Sequence, residues 1–217
     1  MSIQPFIFIS IVFLGGYGRK DALDIEIIEA DSFSHSTLMR INIPPKVQTI
    51  AESWCKFTWN LNSVSISPEN HFFKYMDNSS QKVIVKKSEE NDNVYDELIF
   101  ACRDIESTLI PSEIRHIASF SYQSCKNLTD VEFEENSELV SIGDFAFSST
   151  SIEKIILPQK VERIGQFSFS NCLCIQKVDL SKNCKLESIS QNAFTGSPLE
   201  SITIPSSVKR IEEKAFF

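Results

Sequence analysis

From Leu38 to the last residue, one short pattern recurs every 22 to 25 residues. Recurrence at that length is the signature of a solenoid, whose units bury their apolar face only against their neighbours. The anchor isoleucines Ile117, Ile142, Ile164, Ile189 and Ile211 are 25, 22, 25 and 22 residues apart, and Ile28 and Ile50 take the same part upstream. Five residues after each anchor comes a large, mostly aromatic residue: Phe33, Cys55, Tyr122, Phe147, Phe169, Phe194 or Phe216. The residue before it is small, as at Ala146, Ser168 and Ala193, with Trp54 the exception.

Ten or eleven residues past the anchor begins L-x-x-I-x-I, as in Leu38/Ile41/Ile43, Leu128/Val131/Phe133 and Leu199/Ile202/Ile204, with a weaker copy at Ile105/Thr108/Ile110. Its strict alternation reads as a short strand with one face buried. Pro44, Pro111, Pro158 and Pro205 close four of these strands, where a missing N–H costs least. A second apolar pair, such as Val161/Ile164, reads as another short extended segment, and the aromatic is expected on a tight helical turn. The expected fold is therefore a mainly β solenoid with a parallel strand ladder and short helical turns.

The alternation of 25 and 22 means that the full period is a pair of units, 47 residues long, as from Ile117 to Ile164. Cys125/Cys172, Glu153/Glu200, Pro158/Pro205 and Arg163/Arg210 recur at that spacing. Long units place the next apolar residue six positions beyond the strand (Phe133 to Leu139), short units four (Leu157 to Val161). Such paired recurrence reads as duplication of a two-repeat block.

These units resemble the leucine-rich repeats of the BspA-like surface proteins, whose phrase Ile-Pro-Ser-Ser-Val-x-x-Ile followed by Ala-Phe stands here at residues 204–211 and at Ala215-Phe216. The resemblance covers residues 28–217 apart from one interruption. It implies a leucine-rich-repeat solenoid that is secreted or displayed on the cell surface, without enzymatic activity or cofactor. It further implies adhesin- or antigen-like binding to proteins, host matrix or cell-surface proteins among them. The alternative is an intracellular scaffold or adaptor built on the same solenoid.

Residues 1–18 are an apolar run ending in small residues before Arg19-Lys20, and read as a secretory signal; the alternative is a buried first strand capping the solenoid. Residues 19–66 hold the N-terminal repeats and 105–217 the remainder, broken off within a unit at Phe217. An uncapped last unit is expected to self-associate through its open end. Between them, residues 67–104 break the phase: two β-rich runs around the polar turn 77–80 read as an inserted hairpin, with Leu98-Ile99-Phe100 as a third strand. The Ser67-Pro68-Glu69-Asn70 phrase before it resembles the one that precedes similar insertions in BspA-like proteins. This segment is either a local partner contact or a variable structural repeat.

The net charge of −8 argues against nucleic acid, since phosphate binding needs a surplus of Lys and Arg. The six cysteines read as buried free thiols, because Cys125 and Cys172 stand in one column two units apart, roughly 10 Å and beyond disulfide reach. No ligand set with zinc spacing is present, and His35, His71 and His116 have no nucleophile spaced to them. Asn78 and Asn127 begin Asn-x-Ser/Thr sequons and are candidate glycosylation sites.

What remains is the ladder of outward strand positions. One column reads Asn42, Ser65, Glu132, Ile156, Asp179, Thr203, and its neighbour Arg40, Ser63, Asp130, Lys154, Lys177, Ser201. Mixed polar residues around an exposed Ile156 suit protein or glycan contact. The candidate binding residues are therefore Arg40, Asn42, Asp130, Glu132, Lys154, Ile156, Lys177, Asp179, Ser201 and Thr203.

Overall fold

The computed structural model describes residues 10–11, 24–88, 94–181 and 183–217. The first strands are β1 (Ser10–Ile11), β2 (Ile27–Ile28), β3 (Arg40–Ile43), β4 (Thr49–Ile50) and β5 (Ser63–Ile66). The interrupting segment supplies β6 (Phe73–Tyr75), β7 (Val83–Lys86) and β8 (Glu97–Ala101). Then follow β9 (Ser107–Ile110), β10 (His116–Ile117), β11 (Asp130–Phe133), β12 (Ser141–Ile142) and β13 (Lys154–Leu157). The last are β14 (Arg163–Ile164), β15 (Lys177–Leu180), β16 (Ser188–Ile189), β17 (Ser201–Thr203) and β18 (Arg210–Ile211). Each coil of the solenoid thus carries one longer strand from the L-x-x-I-x-I phrase and one two-residue strand ending on the anchor isoleucine.

Both sets stack in parallel. The longer strands form the sheets β1-β3-β5, β9-β11 and β13-β15-β17. The short strands form β2-β4, β10-β12-β14, which the five-residue β8 joins through β10, and β16-β18. Alternation decides which side chains enter the core: in β13, Ile155 and Leu157 are buried while Lys154 and Ile156 face water. Of residues 1–18, only Ser10–Ile11 are described; they pair in parallel with Arg40 and Ile41, and the rest of that segment lies outside the described residues.

Between the two ladders runs the aromatic column. Tyr122, Phe147, Phe169, Phe194 and Phe216 stack face to face along the axis at centroid distances of 5.0, 5.2, 5.3 and 5.4 Å. Their planes lie within 11° of parallel, because each ring sits at the same position of successive coils. The small residues before them, among them Ala146, Ser168 and Ala193, are fully buried and let the rings approach.

The turns that carry these rings are not the helical turns expected; no helix occurs among the described residues. Three residues past each anchor the backbone is left-handed, at Asp31, Ser53, Phe120, Phe145, Phe167, Asn192 and Lys214. Seven past, it is left-handed again, at His35, Phe57, Ser124, Ser149, Asn171 and Gly196. A helix would return its N–H groups to its own carbonyls, but here alternate N–H groups run to the next coil. Phe145, Phe147 and Ser149 donate to the carbonyls of Gln166, Ser168 and Ser170 at 2.9, 2.8 and 2.9 Å, and the coils on either side repeat the set. Each non-glycine residue held left-handed costs roughly 1–2 kcal/mol, which the inter-coil bonds offset.

The interrupting segment is built into the body of the solenoid. Asn70 opens it: its buried amide donates to the carbonyls of Pro44 and Val47 and accepts from the N–H groups of Phe72 and Phe73. Strands β6, β7 and β8 run antiparallel, and β8 then pairs in parallel with β10 through Leu98 and Ile117. Where the aromatic column is broken, Arg103 fills the space at 3% exposure. Its guanidinium donates to the carbonyls of Thr58, Ser121, Ala101 and Phe120, contacts the Cys55 and Cys125 sulfurs, and lies 4.8 Å from the Phe100 ring centre. Carbonyl dipoles and a ring face thus take the place of a carboxylate counter-ion.

Phe169 is sandwiched between two rings and fully buried. Phe169→Ala should therefore lower unfolding free energy by about 3–5 kcal/mol, read as a fall in the urea midpoint. Ile156→Ala, on the water side, should stay within about 0.5 kcal/mol.

Candidate functional site

The outward positions of the longer strands form two columns set by the parallel register. Lys154 stands opposite Lys177 and Lys177 opposite Ser201, while Ile156 stands opposite Asp179 and Asp179 opposite Thr203. Asp130 and Glu132 face Ser107 and Leu109 on the other side. Arg40 and Asn42 lie on the N-terminal sheet opposite Ser63 and Ser65, where the Ser65 hydroxyl donates to the Asn42 side-chain oxygen at 2.9 Å. Asn42 and Asp179 are half-buried and the other eight candidates exposed, Ile156 at 65%. Leu109, 41% exposed, belongs to the same column. The weak Ile105 copy of the pattern hid it.

Charges on this face differ from those along the edges of the coils. On the edges, pairs run from coil to coil: Lys160 with Glu138, Lys185 with Glu162, Lys209 with Glu187, Arg163 with Asp144 and Lys46 with Asp24. Each is exposed, so solvent screens it and it adds little to stability. At Asp31, hydrogen bonds from Lys56 and Ser53 hold the carboxyl below the usual range. On the strand face, none of Arg40, Asp130, Glu132, Lys154, Lys177 and Asp179 makes an ion pair among the described residues. Lys154 and Lys177 even stand directly opposite one another, a like-charge arrangement that destabilises a sheet.

The ladder is not continuous under these side chains. Strands β11 and β13 are not hydrogen-bonded to each other. The backbone bonds that join their coils stop before the strands, at Ser151 N–H to the Leu128 carbonyl and Glu153 N–H to the Thr129 carbonyl, 3.1 and 3.4 Å. Two adjoining hollows of about 540 and 350 Å³ lie here, both lined by Phe133 and Ile156. One reaches Glu138, Pro158 and Lys160, the other Asp130, Glu132 and Lys154.

The remaining reactive groups are scattered. All six cysteines are unpaired; five are buried and Cys174 is exposed, unlike the buried thiol expected there. Burial pushes the Cys55, Cys125 and Cys172 thiols up to about 11. His35 is exposed and stacks on Phe57 at 4.7 Å, His71 is exposed, and His116 Nδ1 lies 2.9 Å from the Ser141 hydroxyl. Among the described residues no group of three or more His, Cys, Asp and Glu is placed to hold a metal, and no helix is long and apolar enough to cross a membrane. Asn78, on the β6–β7 turn, and Asn127, before β11, are both exposed. At the last coil Ile211, Phe216 and Phe217 are exposed.

The family model described as BspA type leucine rich repeat region matches residues 21–83 and 93–217, in six copies. No curated protein matches the chain. Among solved structures it is similar to a leucine rich cell surface protein from Faecalibacterium prausnitzii A2-165, at 23% identity and TM-score 0.60, over 88% of this chain and 42% of that one. The pneumococcal vaccine antigen PcpA is similar at 18% identity and TM-score 0.60, over 90% of this chain and 56% of the antigen. A leucine-rich repeat protein from Eubacterium ventriosum matches at 20% identity and TM-score 0.57, over 83% and 59% of the two chains. At these identities the likeness is one of fold, and the chain spans about half the length of the proteins it matches.

The buried thiols give a direct check on the packing. With pKa values raised to about 11 for Cys55, Cys125 and Cys172, about one part in a thousand of each is thiolate at pH 8. Native protein treated with iodoacetamide should label Cys174 first, and the other five only in denaturant, as read by peptide mass spectrometry. Fast labelling of Cys125 or Cys172 would contradict the closed core.

Proposed function

Because the chain belongs to the BspA-type leucine-rich repeat family, we propose that it is a non-enzymatic binding scaffold, secreted or displayed on the cell surface, that recognises other proteins along its strand face. One observation carries this reading: charges pair from coil to coil along the edges but stand unpaired on the face, around an exposed Ile156. A surface that served only stability would not set Lys154 against Lys177. A partner with complementary charge removes that repulsion on binding. The net charge of −8 disfavours nucleic acid as that partner.

The surface location draws support from the family and from the neighbours described as a cell surface protein and a vaccine antigen. The signal reading of residues 1–18 agrees with it. Host matrix or cell-surface proteins are then the partner class, with an adhesin- or antigen-like role. One observation favours a second reading, an intracellular scaffold that keeps its N-terminus: Ser10–Ile11 pairs onto β3, as a retained capping strand would.

Two measurements test these readings. N-terminal sequencing of native material should begin after residue 18; an intact Met1 would sink the secreted reading in favour of the scaffold. On an array of extracellular matrix and cell-surface proteins, reversing the charges of Asp130, Glu132, Lys154 and Lys177 together should weaken capture at least ten-fold with thermal unfolding unchanged. Capture that survives the reversal would place the contact elsewhere.

A further inference from the structure

The ladder of short strands is interrupted where residues 67–104 enter it. Strand β4 pairs with β2 and not with β8, which pairs with β10 and β7. A hollow of about 340 Å³ is lined from both sides of this break, and small-molecule sites begin at about 300 Å³. Its inner wall is Ile50, Trp54, Ile99 and Ala118, all buried. Ile99 reaches it through a β-bulge: Ile84 pairs with Phe100 and Val85 with Leu98, so Ile99 has no partner on β7. Its side chain packs with the N-terminal core that holds Trp54, while that of Leu98 packs with the other. Trp54 is 3% exposed, and its Nε1 finds no acceptor among the described residues. A buried N–H without an acceptor is destabilising and calls for a partner from outside the chain. The rim is charged. Lys86 and Glu97, both half-buried, pair at 3.2 Å, whereas the exposed Glu52 makes no ion pair among the described residues. Burial raises the Glu97 carboxyl above its ordinary value; Lys86 opposes this, and Glu52 is near enough to add to it.

We infer that this hollow binds a saccharide unit that carries an acetamido group, of the N-acetylhexosamine class. Its polarity is layered, and the ligand has to match each layer. Inside, one N–H donor stands among apolar side chains, so the entering group needs an acceptor oxygen beside an apolar one. The carbonyl and methyl of an acetamide supply that pair. At the rim the Glu52 and Glu97 carboxylates accept and Lys86 donates, which suits ring hydroxyls, since hydrogen bonds to charged groups are the strong ones. An alkylammonium would answer Glu52 but leave Trp54 Nε1 without an acceptor. An acidic sugar would meet two carboxylates against one ammonium, and like charges set together select against a ligand. The hollow lies among the short strands and shares no residue with the columns of the strand face, so the two readings stand or fall separately.

The test follows the indole N–H resonance of Trp54 in isotope-labelled full chain, identified as the one that survives in Trp59→Phe. N-acetylglucosamine should move it saturably at millimolar concentration. Glucose and glucosamine, which lack the acetamide, should bind at least ten-fold more weakly, and so should N-acetylneuraminic acid, which has the acetamide but adds a carboxylate. Glu52→Gln, at an exposed position that leaves folding intact, should weaken N-acetylglucosamine several-fold and narrow its lead over the acidic sugar. Ala51→Phe, at the partly exposed edge of the hollow, should fill it and abolish the shift with an unchanged unfolding temperature. A Trp54 resonance that N-acetylglucosamine leaves in place, or moves no more tightly than glucose does, would overturn the inference. So would a shift that Ala51→Phe leaves intact, or one confined to Trp59. None of these results bears on capture of proteins by the strand face.

Discussion

The structure depends on hydrogen bonds that leave each coil at the aromatic turn and end on the next. Three N–H groups per turn, at alternate residues, donate to the following coil, and the residues that aim them are held left-handed. A coil alone would leave those donors unpaired and the left-handed positions uncompensated, so no coil is stable without its neighbour. The stacked rings follow from the same bonds, since carbonyl-to-amide registry fixes each ring directly over the one before. Arg103 shows how strongly the registry must be kept. Where residues 67–104 interrupt the repeats, its guanidinium gathers the carbonyls of Thr58, Ala101, Phe120 and Ser121, which the broken column leaves facing inward.

The strand face obeys a weaker rule, and that weakness shapes the site. Ladder bonds there can be omitted because the aromatic turn and the buried alternate residues already hold the coils together. The bonds are absent between β11 and β13 and fewer between β15 and β17. The 47-residue period is therefore a physical unit as well as a repeat of letters: two strands joined over four residues, then a break or a shortened pairing, as between β15 and β17. A regular solenoid acquires distinct places along its length in this way, without any coil departing from the common path.

Much of this was legible in the residues. Alternation in L-x-x-I-x-I located the strands and the outward columns, and the spacing of the anchors located the rings. The turn conformation was hidden because Phe120, Phe145 and Phe167 carry none of the glycine or asparagine signature of left-handed backbone. Only Asn171, Asn192 and Gly196 hint at it. Nothing in the spacing of residues 67–104 announces that Leu98 pairs with Ile117, because strand pairing is a property of two segments and not of one. Arg103 was invisible for a related reason: a lone arginine reads as surface until the carbonyls that surround it are assembled. The gap between β11 and β13 was not visible. The prolines were plain, but β17 pairs with β15 despite Pro205 while β13, followed by Pro158, does not pair with β11.

The distribution of charge completes the connection between fold and function. Along the edges, opposite charges meet at every step between the later coils, so the edges are electrostatically closed. On the face, acids gather on β11 and lysines on β13 and β15, separated by the one place in that region where the ladder is open. Had β11 and β13 been hydrogen-bonded in the common register, Asp130 would have stood opposite Lys154 and neutralised it. The missing ladder between β11 and β13 leaves Phe133 and Ile156 lining a hollow there, and leaves Asp130 and Lys154 without an ion pair and available to a partner. A partner of complementary charge gains the pairing that these residues do not make within the chain. That is why the face, and not the better-paired edges, is the surface of this solenoid on which binding is favoured.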